Sequence, residues 1–232
     1  MSLSWSSRCS TGTPDAAGPA GEPYPPPSGR LCGGLRPTSL CLVTQTRESS
    51  PAPLRLLFVC TANISRSPFA ERRVAHLLRA EGLDGHRVTV ASAGIPGHPG
   101  RDMDPEMAKQ LRARGGEPDG HVSRSLTTDM LALADLVITF ELAQRLRILE
   151  SHPGWTHKLF GLHQLVDALE RTSPASTGVR LVDDAYRASA PDSMTWDVPD
   201  PYGRGRAAAR KAADEIDEAL AVIVRATTGR LA

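Results

Sequence analysis

The run Leu56-Leu57-Phe58-Val59-Cys60-Thr61-Ala62-Asn63-Ile64-Ser65-Arg66-Ser67-Pro68 sets the tightest limit on what this chain can fold into. Leu56 to Val59 are apolar without polar alternation, the pattern of a central parallel strand covered by helices on both faces. Pro68 suits the first turn of a helix, where its missing N–H costs no hydrogen bond. After it, Phe69, Ala70, Val74, Leu77 and Leu78 recur at helical spacing, with Glu71, Arg72, Arg73, Arg79 and Glu81 on other faces. The residues between, Cys60 to Ser67, must turn from the C-terminal end of a strand into the N-terminus of a helix.

That junction carries a charge preference. Unpaired N–H groups and the positive end of the helix dipole both favour an anion there. The same field favours a thiolate at Cys60. Arg66 offers a planar fork that holds two phosphate oxygens at once, which a lysine cannot do. Ser67 is placed to hydrogen-bond the sulfur. With the backbone of Thr61, Ala62, Asn63, Ile64 and Ser65 between them, a thiolate, a ring of N–H groups and a guanidinium converge on one point. A phosphate group fits that point, with its phosphorus open to attack by Cys60. Taken singly, a free cysteine at a strand end is usually a small buried hydrophobe, and a lone arginine is usually solvated. The conjunction with the apolar strand, Asn63 and Ser67-Pro68 is what points to chemistry.

The segment Cys60 to Pro68 resembles the signature of the low-molecular-weight protein tyrosine phosphatases of bacterial type. Three further segments resemble that family in the same order. Val88-Thr-Val-Ala-Ser92-Ala93-Gly94 is similar to its second strand and the serine there. Gly120-His121-Val122-Ser-Arg124 is similar to its His-Val-x-Arg segment. Asp197-Val-Pro-Asp200-Pro201-Tyr202-Gly203 is similar to its Asp-Pro-Tyr loop. The resemblance runs from Leu54 to the C-terminus.

The resemblance implies a general acid at Asp200, an aromatic pocket wall from Tyr202, and a supporting set in which Ser67, Ser92 and His121 hold Asn63. Asparagine tolerates a left-handed backbone better than most residues, which such a loop needs. An Asp-Pro alone is a turn signal. Asp200 is preferred over Asp183, Asp184, Asp192 and Asp197 because Pro201-Tyr202-Gly203 follows it. The chemistry asks for an acid in any case, since breaking an aryl phosphate ester leaves negative charge on the departing oxygen. Cys60 would attack to form a phosphocysteine while Asp200 gives a proton, and water would then attack while Asp200 takes one back. Arg66 and the loop amides would hold the equatorial oxygens throughout. No metal or other cofactor is needed, and the implied partner is a phosphotyrosine-containing protein.

Three positions depart from the family pattern. Ser65 stands where many members have a second cysteine able to form a disulfide with the nucleophile. His98 is the counterpart of a large aromatic after the second strand. After the third strand, the family's methionine before an acidic residue appears here as Phe140-Glu141. The remaining histidines, His76, His86, His152, His157 and His163, and His98 itself, read as surface or structural.

Composition narrows the rest. Formal net charge is +1, so no basic field invites nucleic acid or an anionic membrane. No apolar stretch approaches the ~20 residues a membrane span needs. No apolar signal core stands at the N-terminus, and Cys60 is the single cysteine of 54–232, which suits a reducing, cytoplasmic setting. Residues 1–53 are rich in Pro, Gly, Ser and Thr, contain Cys9, Cys32, Cys41 and Tyr24-Pro-Pro-Pro27, and are expected to be a disordered tail. A proline-rich ligand segment, or a true start nearer Val43, are the alternatives for that stretch.

Along 54–232, strands are expected at Arg55–Val59, Arg87–Ala91, Leu136–Phe140 and His157–Phe160. Helices are expected at Pro68–Glu81, Pro105–Arg114, Glu141–Glu150, Leu162–Leu169 and Arg204–Arg225. Alternation of this kind predicts an α/β fold, a three-layer α/β/α sandwich on a four-stranded parallel sheet, with the phosphate-binding loop between first strand and first helix. Residues 171–195, punctuated by Thr, Ser, Pro, Gly and Asp, read as an insertion forming a flap over the pocket. Two other functions compete: an arsenate reductase using an external small thiol, since relay versions need further cysteines in the domain, and a non-catalytic phosphotyrosine-binding module, which would be expected to lose Cys60 or Asp200.

Overall fold

The computed structural model describes residues 52–83 and 87–229. The expected tail, with its three cysteines, falls outside the described residues except for 52 and 53, and so does His86. Four strands form the sheet: β1 (Leu54–Cys60), β2 (Val88–Gly94), β3 (Leu136–Thr139) and β4 (Leu159–Gly161). All pair in parallel, in the order β2-β1-β3-β4. β1 is flanked on both sides and is buried along nearly its whole length, as its unbroken apolar run requires.

Successive residues of β1 face opposite layers. Leu54, Leu56, Phe58 and Cys60 join the larger core, built with helices α1 (Arg66–Ala80), α2 (Pro105–Ala113), α5 (Leu162–Glu170), α6 (Gly178–Ala188) and α7 (Gly205–Thr228). Leu57 and Val59 face the smaller core, covered by α3 (Thr128–Leu133) and α4 (Leu142–Ser151). The result is the expected three-layer sandwich. Ala212, Ala213, Ile216, Leu220 and Ile223 are buried on α7, as their spacing predicts.

The chain leaves β1 through α1 to reach β2 on one side, then returns to β3 on the other. This reversal opens a crevice at the C-terminal end of β1, the usual ligand position of an open α/β sheet. Cys60 ends β1 there.

Two helices were not anticipated. α3 has six residues and buries only Leu131, too little for a periodic signal. α6 lies inside the stretch read as an insertion: Leu181, Val182 and Ala185 reach the larger core, and its flanking Thr, Ser and Gly masked the helix. Residues 171–195 supply none of the pocket walls around Cys60 among the described residues. They pack instead beside α5 and α7. No helix among the described residues is long and apolar enough to cross a membrane.

Candidate active site

The loop after β1 is held from outside by its carbonyls. Cys60 O accepts from Ile95 N (2.8 Å), Thr61 O from Gly97 N (2.9 Å), Ala62 O from His98 N (3.3 Å) and Ile64 O from Asp104 N (2.7 Å). Asn63 O completes the series with His121 Nε2 at 2.8 Å. A carbonyl only accepts, so Nε2 carries the proton. With these carbonyls turned outward, the amides of Ala62, Ile64 and Ser65 have no protein acceptor among the described residues. Such a ring of free N–H groups is an anion seat. The start of α1 adds to it, since Ser65 makes no side-chain cap there.

Asn63 is the one non-glycine residue at positive φ (59°) among the described residues. Its side chain holds that strained turn. Nδ2 donates to Ser67 Oγ (3.0 Å) and Ser92 Oγ (2.8 Å), and Oδ1 accepts from Arg124 N (2.9 Å). Ser92 Oγ in turn donates to Glu71 Oε2 at 2.5 Å. Ser67, Ser92 and His121 therefore all touch Asn63, as the resemblance implied. Burial pushes the His121 imidazole below its ordinary value, with the Asn63 carbonyl opposing that shift.

Cys60 is buried, and its Sγ meets Ser67 Oγ at 3.0 Å and accepts from Asn63 N at 3.3 Å. Arg66 is 1% exposed, so its guanidinium must be paired. NH1 donates to Glu141 Oε1 and to Val198 O, both at 2.7 Å, and NH2 lies 3.2 Å from Asp200 Oδ2. The guanidinium also stands 6.0 Å from the Phe140 ring centre. Its Nε has no partner, and neither does the buried Ser65 hydroxyl. Buried donors left unpaired in an otherwise saturated site are what a phosphoryl oxygen would take.

The pocket above them, about 190 Å³, is lined by Cys60, Thr61, Ala62, Ile64, Ser65, Arg66, His98, Arg101, Asp200 and Tyr202. Tyr202 is half-exposed, and Arg101 NH2 donates to its hydroxyl at 3.1 Å while lying over the ring. His98 thus belongs to the pocket and not to the plain surface. The other histidines are placed elsewhere: His152 stacks on Trp155, and His163 faces Glu215. Asp192 pairs with buried Arg145 at 2.9 Å, while Asp184 pairs with Arg187.

Several residues serve the site through contacts that their sequence segments did not reveal. Glu71 and Arg124 tie the second strand to the loop. Glu141 and Gln144 brace Arg66 and Thr61: Gln144 Nε2 donates to Thr61 Oγ1 and to Glu141 Oε2. Gly94 is required by close approach. A Cβ there would lie 2.9 Å from the backbone of Ala62 and of Asn63. Its position at the end of a strand, straight after Ser92-Ala93, was the available signal.

A parallel α/β sheet carrying a cysteine, an outward-bonded loop and a buried arginine at its switch point defines a cysteine-based phosphohydrolase class. Residues 55–179 match the family model described as low molecular weight phosphotyrosine protein phosphatase. The chain belongs to that family, of bacterial type, and is an enzyme of the hydrolase class. It is 34% identical over 182 residues to a low molecular weight protein-tyrosine-phosphatase of Streptomyces coelicolor, covering 77% of this chain and 92% of that one. It is 44% identical over 90 residues to phosphatase A of Mycobacterium tuberculosis, spanning 38% of this chain and about half (53%) of that protein. Among solved structures, the arginine phosphatase YwlE of Geobacillus stearothermophilus superposes with TM-score 0.56 at 28% identity, over 75% of this chain and 92% of that one.

Proposed function

We propose that this enzyme hydrolyses phosphotyrosine in proteins through a phosphocysteine on Cys60, with Asp200 as proton donor and acceptor, in the cytoplasm. The observation that carries the reading is the set of unpaired donors around Cys60 Sγ: the loop amides and Arg66 Nε. Phosphoryl oxygens would take these places, leaving the sulfur behind the phosphorus. Sγ attacks, the P–O bond to the tyrosine breaks, and the departing phenolate oxygen takes the proton of the Asp200 carboxyl. Water then attacks phosphorus, gives its proton to Asp200, and the S–P bond breaks to return the thiolate. Glu141 and Val198 O hold NH1, so a phosphoryl group would meet the Nε–NH2 edge of Arg66, taking over at NH2 from Asp200.

The YwlE likeness raises phosphoarginine as a second substrate class. Pocket chemistry favours the aryl ester. A phosphorylated guanidinium would bring positive charge beside Arg66 and Arg101, with Asp200 the one carboxylate among the lining residues. A phenyl ring would instead meet Tyr202, Ile64 and His98. An arsenate relay finds no second cysteine among the described residues.

The test is steady-state hydrolysis with chelator present, comparing p-nitrophenyl phosphate, a phosphotyrosine peptide and a phosphoarginine peptide. Wild type should turn over the first two. Cys60→Ser should lose on the order of 10⁴-fold or more, and Asp200→Asn about 10²–10³-fold with poor leaving groups. Turnover of phosphoarginine in preference to phosphotyrosine would overturn the substrate assignment.

A further inference from the structure

Asp200 is 40% exposed at its side chain, and the chain around it needs an anchor. Upstream, the structure supplies three bonds, two to the turn between β3 and α4 and one to Arg66. Val198 N donates to Phe140 O at 2.7 Å. Val198 O accepts from Arg66 NH1. Asp197 Oδ1 accepts from Leu142 N at 2.7 Å, across 55 residues of sequence. Leu142 is the first residue of α4, so its N–H has no acceptor within the helix. The neighbouring Glu141 side chain is taken up by Arg66 NH1 and Gln144 Nε2. Asp197 therefore supplies a cap from outside the helix, with its negative charge at the positive dipole end.

We propose that Asp197 is a positioning residue for the acid: by capping Leu142 N it moors segment 197–200 to the β3–α4 turn and sets where Asp200 stands over Cys60. The proposal rests on reading Asp200 as the proton donor. Pro199 and Pro201 fix φ on both sides of Asp200, so the short segment transmits displacement as a stiff lever. Val198 is fully buried and acts as its fulcrum. Downstream, the ties are the Tyr202–Arg101 bond and Tyr202 N to Asp200 Oδ1 at 3.3 Å, both at the exposed pocket mouth. The phosphate loop takes no bond from Asp197. Loss of the mooring should spoil proton donation and leave phosphate binding alone.

The test uses the full chain and two esters, phenyl phosphate, which needs an acid, and 2,4-dinitrophenyl phosphate, which does not. Asp197→Ala should lower kcat/KM, which reports only the steps through phosphocysteine formation, by ~10–100-fold on the first and by less than about 3-fold on the second, a fraction of what general acid catalysis supplies. Competitive inhibition by inorganic phosphate should stay unchanged. Asp197→Asn, which keeps the acceptor oxygen, should restore most of the phenyl phosphate rate. Leu142→Pro removes the donor instead. Proline is tolerated at the first helical position, and the preceding Glu141 is already extended, so this variant should repeat the alanine pattern. The ratio of the two rates within one preparation does not depend on how much protein is folded. Equal losses on both esters, or no loss, would overturn the proposal. If Asp200→Asn itself shows no dependence on leaving group, the acid assignment fails first. If it does and Asp197→Ala does not, the mooring alone fails.

Discussion

The phosphate loop and the acid loop face each other across one pocket and are built differently. Cys60 to Ser67 are contiguous, buried save for the half-buried Thr61 and Ala62, and held by a hydrogen bond donated to every carbonyl from Cys60 to Ile64. Asp200 arrives from the far end of the chain, sits half-exposed on a proline-flanked segment, and depends on mooring at Asp197 and Val198. On the proposed mechanism the first region would bind the charged phosphoryl transition state, for which a preorganised loop and a buried arginine are suited. On the same mechanism the second would give and take one proton per step and must reach water, which its place at the rim allows. Arg66 joins them, holding Glu141 and Val198 O with one nitrogen and reaching Asp200 with another.

Breaking the rigid half should have the larger effect. In Gly94→Ala the new methyl meets backbone at 2.8–2.9 Å from Gly97, Ala62 and Asn63, none of which is a flexible side-chain end. The loop must shift, at a stability cost of ~1–3 kcal/mol. Phosphate affinity and kcat should fall together on every leaving group, by ~10-fold or more, which inhibition by inorganic phosphate and steady-state rates would read. That uniform loss contrasts with the leaving-group-selective loss expected from the acid side. Equal phosphate affinity in Gly94→Ala and wild type would remove the close-packing argument.

A smaller effect sharpens the same contrast through pH. Burial depresses His121, which donates to Asn63 O beneath the loop. The folded state thus favours the neutral ring, while the unfolded chain takes a proton near the ordinary imidazole value of about 6.5. Its contribution is complete above about pH 6.5 and is lost as pH falls below that, through the lower folded value. Thermal unfolding from pH 7.5 to 5.5 should show a shallower loss for His121→Gln than for wild type. An identical slope in both would separate His121 from the acid sensitivity of the loop.

The two regions were also unequally legible in the sequence. The phosphate loop could be read because its parts are neighbours: an apolar strand, the Cys60-to-Arg66 spacing and a proline-opened helix imply each other locally. The parallel sheet followed from the same alternation, with boundaries off by a few residues. What escaped reading acts across distance. Glu141 reaches Arg66 over 75 residues, and Asp197 reaches Leu142 over 55. Nothing in either local sequence announces a partner so far away. Asp197 even looked like a rival for the acid role, and only the fold shows it holding a helix end. α6 was hidden for another reason: its helical face is short, and turn residues crowd both ends.

The most direct test of the central claim is to trap the intermediate. The full chain, mixed with excess 2,4-dinitrophenyl phosphate and quenched within a turnover, would be digested and its peptides mapped by mass spectrometry. The account predicts a phosphoryl group on the sulfur of Cys60, more abundant in Asp200→Asn because water attack then lacks its base. A burst of dinitrophenol with the phosphoryl group on another residue, or with no adduct at Cys60 at any quench time, would contradict it.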